Sequence, residues 1–186
     1  MARRGWPPAA LLFVIGGAAY GLDRLTKTLA EDRLAGRPPI VVIPKVVQLR
    51  FATNSGGAFS LFPDHPWVFF AATIAICTVI LATSWRLTSL LSGVALGLVL
   101  GGALGNLTDR IVRGPGVSGR VVDFIDFHVW PVFNTADSCI VIGALLLVFA
   151  GMRREARVEP GEAIDSAEAV DPVASETGPG PDPNPR

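Results

Sequence analysis

Four long apolar runs constrain this chain more than any other feature: Trp6–Leu22, Trp67–Ser84, Leu87–Thr108 and Ala136–Met152. Each approaches or reaches the roughly 20 residues that a helix needs to cross hydrocarbon. A backbone in lipid must satisfy its own hydrogen bonds, so the runs predict four transmembrane helices, the first extending naturally through Asp23-Arg24-Leu25-Thr26-Lys27. A single arginine, Arg86, separates the middle two, which leaves room only for a tight turn between antiparallel neighbours. Half of the residues are hydrophobic and 17% are charged, as an integral membrane protein requires.

The net charge of zero hides two unlike parts. Residues 1–154 carry 14 basic and 8 acidic side chains, whereas residues 155–186 carry 2 basic and 8 acidic ones together with six prolines. The second part cannot bury enough apolar surface to offset the entropy of ordering, so it is predicted to be a disordered acidic tail dispensable for chemistry. Residues 1–154 are the predicted membrane domain. Arg3, Arg4, Arg86, Arg153, Arg154 and Arg157 fall on one side of a four-span chain, which predicts cytoplasmic N and C termini. The start also has the look of a cleaved signal peptide, but Asp23 and Lys27 argue against its removal.

Helix parity then gathers Asp23, Asn54, Asn106, Asp109, Asp123, Asn134 and Asp137 at the outward face. Between spans one and two, Ile40-Val41-Val42-Ile43 and Val46-Val47-Gln48-Leu49-Arg50-Phe51 predict a small β-element over about 37–62. It leads into Asn54-Ser55-Gly56-Gly57, which reads either as an ordinary turn or as a place where Asn54 orients a substrate backbone. Span three ends in Gly101-Gly102-Ala103-Leu104-Gly105-Asn106-Leu107-Thr108-Asp109-Arg110, where small residues permit close helix approach. A local ion pair at the helix end accounts for Asp109 and Arg110 more simply than direct chemistry does.

Asp123 follows two β-branched residues and precedes Phe124, so burial should favour its protonated form. Asp137 opens span four, where capping would favour the ionised form. If the two carboxyls approach, one keeps a proton while the other acts as a base, the division of labour needed for peptide hydrolysis by activated water. Asp126 is a rival candidate beside Asp123. His65 and His128 lack any ligand spacing, so no metal and no cofactor is predicted. Ser55 and Ser60 lack a motif tying them to a base, and no phosphate-binding loop is present. Cys77 and Cys139 lie within spans and read as small apolar residues without a disulfide. A small transporter would also use membrane carboxylates, but it should leave polar residues along spans two and three, which are nearly devoid of them. A scaffold whose aspartates only cap helices would keep its function after both were replaced.

The ordered set Asp23-Arg24-Leu25-Thr26-Lys27, Asn54-Ser55-Gly56-Gly57-Ala58-Phe59-Ser60, Gly105-Asn106-Leu107-Thr108-Asp109-Arg110, Val121-Val122-Asp123-Phe124 and Phe133-Asn134-Thr135-Ala136-Asp137 strongly resembles bacterial lipoprotein signal peptidase, or signal peptidase II. The resemblance covers roughly residues 8–152. It implies that Asp123 and Asp137 are catalytic, that Asn54, Asn106, Asp109, Arg110 and Asn134 support the substrate or the aspartates, and that Asp23, Lys27 and Gly56 belong to structural motifs. It further implies a metal-free aspartic endopeptidase of the bacterial cytoplasmic membrane, with its site toward the extracytoplasmic face. Its substrates would be diacylglyceryl-modified prolipoproteins, cut before the lipidated cysteine, with membrane lipids as further partners and no nucleic acid. Arg24 stands where the family more often has glutamine, and Gly57 where alanine is common. The connection 111–120 is longer than usual, which opens the question of whether it gates the site or is a passive insertion.

Overall fold

The computed structural model describes residues 7–55 and 66–168. In chain order the elements are α1 (Pro8–Leu34), β1 (Ile40–Ile43), β2 (Val47–Asn54), α2 (Pro66–Thr83), α3 (Leu90–Val112), β3 (Val121–Asp126) and α4 (Thr135–Glu168). Four helical stretches, Pro8–Leu34, Trp67–Arg86, Leu90–Val112 and Thr135–Arg153, are long and apolar enough to cross a membrane. The protein is thus a multi-pass, mostly helical membrane protein with one small antiparallel sheet, the class its apolar runs predict.

Contacts divide the chain into two units, Met1–Ala150 and Gly151–Arg186. In the second, the backbone of α4 continues to Glu168, past the boundary expected at residue 154. Glutamate and alanine supply half of residues 155–168, and both favour helix locally even where the chain has little apolar surface to bury, although Pro160-Gly161 does not. The rest of the expected disordered tail, 169–186, lies outside the described residues.

In the first unit, α1 runs well past Lys27. Its buried residues Leu12, Gly16, Ala19, Asp23, Lys27, Ala30 and Leu34 recur at helical spacing, so one continuous stripe faces inward although its outer half is polar. Gly36 in the left-handed region (φ 68°), followed by Pro38-Pro39, ends the helix. Facing that stripe, Gly93, Gly97, Gly101 and Gly105 of α3 lie against Pro8, Leu12, Gly16 and Asp23 in turn, and a Cβ on Gly97 would lie 2.7 Å from the Leu12 carbonyl oxygen. On another face of α3, Gly102 meets the Ala136 carbonyl of α4, and Gly143 of α4 meets Ala95. From α2, Cys77 and Ile80 join Leu12, Leu100 and Ala103 in the apolar core. A short 3-10 turn, Ser84–Arg86, makes the tight connection from α2 to α3.

The sheet has the order β1-β2-β3 with both pairings antiparallel. Within the expected 37–62 element the strands occupy 40–43 and 47–54, and residues 56–62 lie outside the described residues. The third strand comes from the Val121-Val122-Asp123-Phe124 motif, whose β-branched and aromatic residues suit a strand once β2 is available to pair with it. Val122 and Phe124 pack with Ala30 and Leu34, fixing the sheet to the end of α1.

Candidate active site

Side chains alternate along a strand. With Val122 and Phe124 committed to the core against α1, Asp123 between them is turned toward a cavity of about 310 Å³, while its backbone pairs opposite Ala52. Asp137 reaches the same cavity from the first turn of α4. It forms a capping box with Asn134: the Asn134 Oδ1 accepts the Asp137 N–H at 3.0 Å, and Asp137 Oδ2 accepts the Asn134 N–H at 3.3 Å.

Two asparagine amides connect the carboxyls. Asn134, fully buried, donates through Nδ2 to Asp123 Oδ1 at 2.6 Å and to Asn106 Oδ1 at 3.2 Å. Asn106 in turn donates through Nδ2 to Asp137 Oδ1 at 2.8 Å. Asn54, at the end of β2, lines the cavity and hydrogen-bonds Asp123. Burial and the neighbouring Asp137 charge push the Asp123 carboxyl up to about 7, against the opposing pull of Asn134, Lys27 and Asn54. One carboxyl that keeps its proton near neutrality beside a second carboxyl in the same cavity is an arrangement suited to acid and base work.

Arg110 lines this cavity too, nearly buried, with its guanidinium 5.5 Å from the centre of the Phe69 ring and Nη1 3.4 Å from the Ser55 carbonyl oxygen. Arg110, expected as a partner of Asp109 at the helix end, thus also lines the cavity. Asp109 does act structurally, but as a hub rather than within one helix. It pairs with Arg24 Nη1 at 2.5 Å, Arg113 Nε at 2.7 Å and Lys27 Nζ at 2.9 Å, and it accepts the Val122 N–H at 3.2 Å, so that α1, α3 and β3 meet on one carboxylate. Asp23 completes the set, pairing with Lys27 at 2.9 Å and accepting the Ala136 N–H of α4 at 3.0 Å. Gly56 lies outside the described residues.

Asp126 belongs to a separate group. Gln48 and Arg50 of β2 reach it at 2.8 and 2.6 Å, the His128 N–H adds a third donor, and together they hold its carboxyl down to about 2. The long connection after α3 folds back on that helix: the Gly119 N–H bonds the Arg110 carbonyl at 3.0 Å, and Arg113 holds both Glu31 and Asp109. The cavity lining contains no residue from 111–120. Arg113, four residues beyond Asp109, gave a readable helical-pair signal that sequence reasoning passed over. Phe69 and Thr73, which also line the cavity, sit in an unbroken apolar run and gave none. Among the described residues no group of three His, Cys, Asp or Glu side chains converges as a metal site would require.

The family model described as signal peptidase (SPase) II matches residues 9–153. The lipoprotein signal peptidase of Rhodococcus jostii (strain RHA1) is 45% identical over 139 residues, 74% of this chain and 70% of that protein. That of Desulfitobacterium hafniense (strain DSM 10664 / DCB-2) is 37% identical over 155 residues, 80% of this chain and 99% of its own. A bacterial membrane enzyme solved by the in meso method at 2.3 Å resolution aligns with a TM-score of 0.70 and 28% identity, over 79% of this chain and 90% of that chain. A family match over most of the chain, joined to relatives this similar, places the protein in the signal peptidase II family as a membrane aspartic peptidase.

Proposed function

We propose that this peptidase removes the signal peptides of diacylglyceryl-modified prolipoproteins, cutting before the lipidated cysteine with a water activated by Asp123 and Asp137. One observation carries the reading: two carboxyls from distant elements line one cavity and share the Asn134 and Asn106 amides. The names of the relatives supply the substrate class. In the proposed cycle Asp137 takes a proton from water as its oxygen bonds to the scissile carbonyl carbon. Asp123, the carboxyl that keeps its proton near neutrality, polarises the carbonyl oxygen. When the tetrahedral species collapses, the C–N bond breaks and the proton held by Asp137 passes to the departing nitrogen. Neither aspartate forms a covalent bond to the substrate. Arg110 and Asn54 supply donors beside the reacting carbonyl, positioned to hold the peptide backbone.

The proposed orientation follows the arginines of the short segments, with both termini cytoplasmic and the cavity outward. A hydrophobic, lipid-bearing substrate would then reach the cavity laterally from the bilayer, and crosslinking that found substrate only in aqueous loops would contradict this route. The function itself is tested with purified protein in detergent, a diacylglyceryl-modified prolipoprotein and chelator throughout, comparing wild type with Asp123→Asn and Asp137→Asn. Cleavage by wild type alone is the expected result. Activity surviving in either variant would reject the pair, and a correctly inserted wild type that fails to cleave would reject the substrate.

A further inference from the structure

We infer that Lys27 is a positioning residue for the aspartate pair: its buried ammonium fixes which way the Asn106 amide faces, and so aims the N–H that Asn106 donates to Asp137. The inference rests on the two-aspartate reading above and deepens it.

Lys27 is fully buried: its ammonium forms ion pairs with Asp23 Oδ2 at 2.9 Å and Asp109 Oδ2 at 2.9 Å and donates a hydrogen bond to Asn106 Oδ1 at 2.8 Å. A buried ammonium has three donors to satisfy, and Asn106 Oδ1 takes the one that the two carboxylates leave. Asp109 is already met by Arg24, Arg113 and the Val122 N–H, so Lys27 does not serve it alone. The third donor goes to a neutral amide whose other end touches Asp137 at 2.8 Å. That contact decides the amide's orientation, because a flipped Asn106 would set its NH2 group against the ammonium and its carbonyl oxygen against the Asp137 carboxyl. The Asn134 Nδ2 donates to the same Asn106 oxygen at 3.2 Å and favours the same orientation.

The charge of Lys27 also bears on Asp123. Asp137 from α4 pushes the Asp123 carboxyl up, Lys27 from α1 and Arg110 from α3 oppose it, β2 contributes Asn54, and Arg50 of β2 is engaged on Asp126. Loss of the ammonium therefore moves the Asp123 carboxyl further up, and the pH at which the pair loses its last proton rises with it.

The experiment uses the full chain in detergent and a diacylglyceryl-modified prolipoprotein. It compares wild type, Lys27→Met, Asp23→Asn/Lys27→Met, Asn106→Ala and Lys27→Met/Asn106→Ala, with Asp123→Asn and Asp137→Asn beside them. The Asp23→Asn/Lys27→Met variant removes an ion pair as a unit, so α1 keeps no lone buried charge if Lys27→Met alone fails to fold. The expected kcat loss on removing Lys27 is about 10- to 100-fold, taken by analogy with the loss of a hydrogen-bond partner that orients a metal ligand. KM should stay nearly constant, and the alkaline limb of the pH profile should move upward. Because Lys27 acts through Asn106, the Lys27→Met/Asn106→Ala variant should be no slower than the slower single variant. Wild-type kcat in a folded variant lacking Lys27, an unmoved alkaline limb, or losses at Lys27 and Asn106 that multiply would each overturn the inference while leaving the aspartate pair intact. Cleavage by Asp123→Asn or Asp137→Asn would instead overturn the aspartate reading and this inference with it.

Discussion

Asn134 performs two tasks that one substitution series separates. Its Oδ1 caps α4 by accepting the Asp137 N–H at 3.0 Å, while its Nδ2 donates to Asp123 at 2.6 Å and to Asn106 at 3.2 Å. Serine at this position keeps the cap and loses the amide N–H; alanine loses both. Loss of the cap costs about 1 kcal/mol, and loss of a hydrogen bond to a group that titrates as a carboxylate costs about 1.5–3 kcal/mol. Stability should therefore fall in the order Asn, Ser, Ala, with about 1 kcal/mol between the last two. Turnover should fall equally in both variants, because both leave Asp123 and Asn106 without the donor that joins them. The Asn134 bond also restrains the upward displacement of the Asp123 carboxyl, so both variants should move the alkaline limb of activity above about 7. Thermal unfolding in detergent, measured by circular dichroism beside kcat across pH, checks all three expectations. A serine variant that cleaves at the wild-type rate would refute the assignment of the amide N–H to catalysis.

The raised Asp123 carboxyl should also appear in stability. Between the ordinary 3.8 and about 7 the folded protein keeps a proton that the unfolded chain has lost, so stability falls as pH rises, by about 4 kcal/mol over the window, and Asp123→Asn should flatten the profile in unfolding measurements. Asp126 has the opposite sign: held down to about 2, it contributes stability above pH 3.8 that is lost as pH falls through about 2. Asp126→Asn should lower the thermal midpoint at pH 7 and leave kcat unchanged. Truncation after Arg157 should leave cleavage unchanged in a stably inserted protein, as measured on the same substrate.

The spans were legible because unbroken apolar length has few other uses, and Arg86 alone marked the hairpin between α2 and α3. The extent of α1 was not. Asp23, Lys27, Glu31, Asp32 and Arg33 look like the end of a span, yet Asp23, Lys27, Ala30 and Leu34 keep the helical spacing of a buried stripe. Hydropathy weighs each residue alone and cannot see that Lys27 will meet two carboxylates. β3 was hidden for a related reason: six residues give a strand only when a partner strand is at hand, and β2 lies far away in sequence. That same pairing sets Asp123 and Asp126 in different surroundings. It places Gln48 opposite Asp126 and Ala52 opposite Asp123, so Gln48 and Arg50 engage Asp126 while Asp123 lies at the cavity with Asn54 of the same strand beside it. The motifs identified Asn54, Asn106, Arg110, Asn134 and the two aspartates as a group, but not the tertiary pairing of Arg24 with Asp109.

Gly105 links the packing of the spans to the proposed chemistry. A Cβ there would lie 2.9 Å from the Asp23 carboxyl carbon, so the missing side chain is what lets Asp23 sit between α1 and α3. From that place Asp23 holds both Lys27 and the Ala136 N–H at the start of α4, three residues after Phe133 and one before Asp137. Gly97 lies on the same stripe but meets the Leu12 carbonyl and the Ile15 side chain in the apolar half of α1. Alanine at either position overpacks the same helix pair, at a cost of about 1–3 kcal/mol. Only Gly105→Ala presses on the carboxylate that anchors Lys27 and the α4 terminus. Both variants should therefore lose similar stability in thermal unfolding, while Gly105→Ala alone lowers kcat and displaces the pH profile. If Gly97→Ala changed the pH profile by the same amount, helix spacing in general, and not the seat of Asp23, would govern the site.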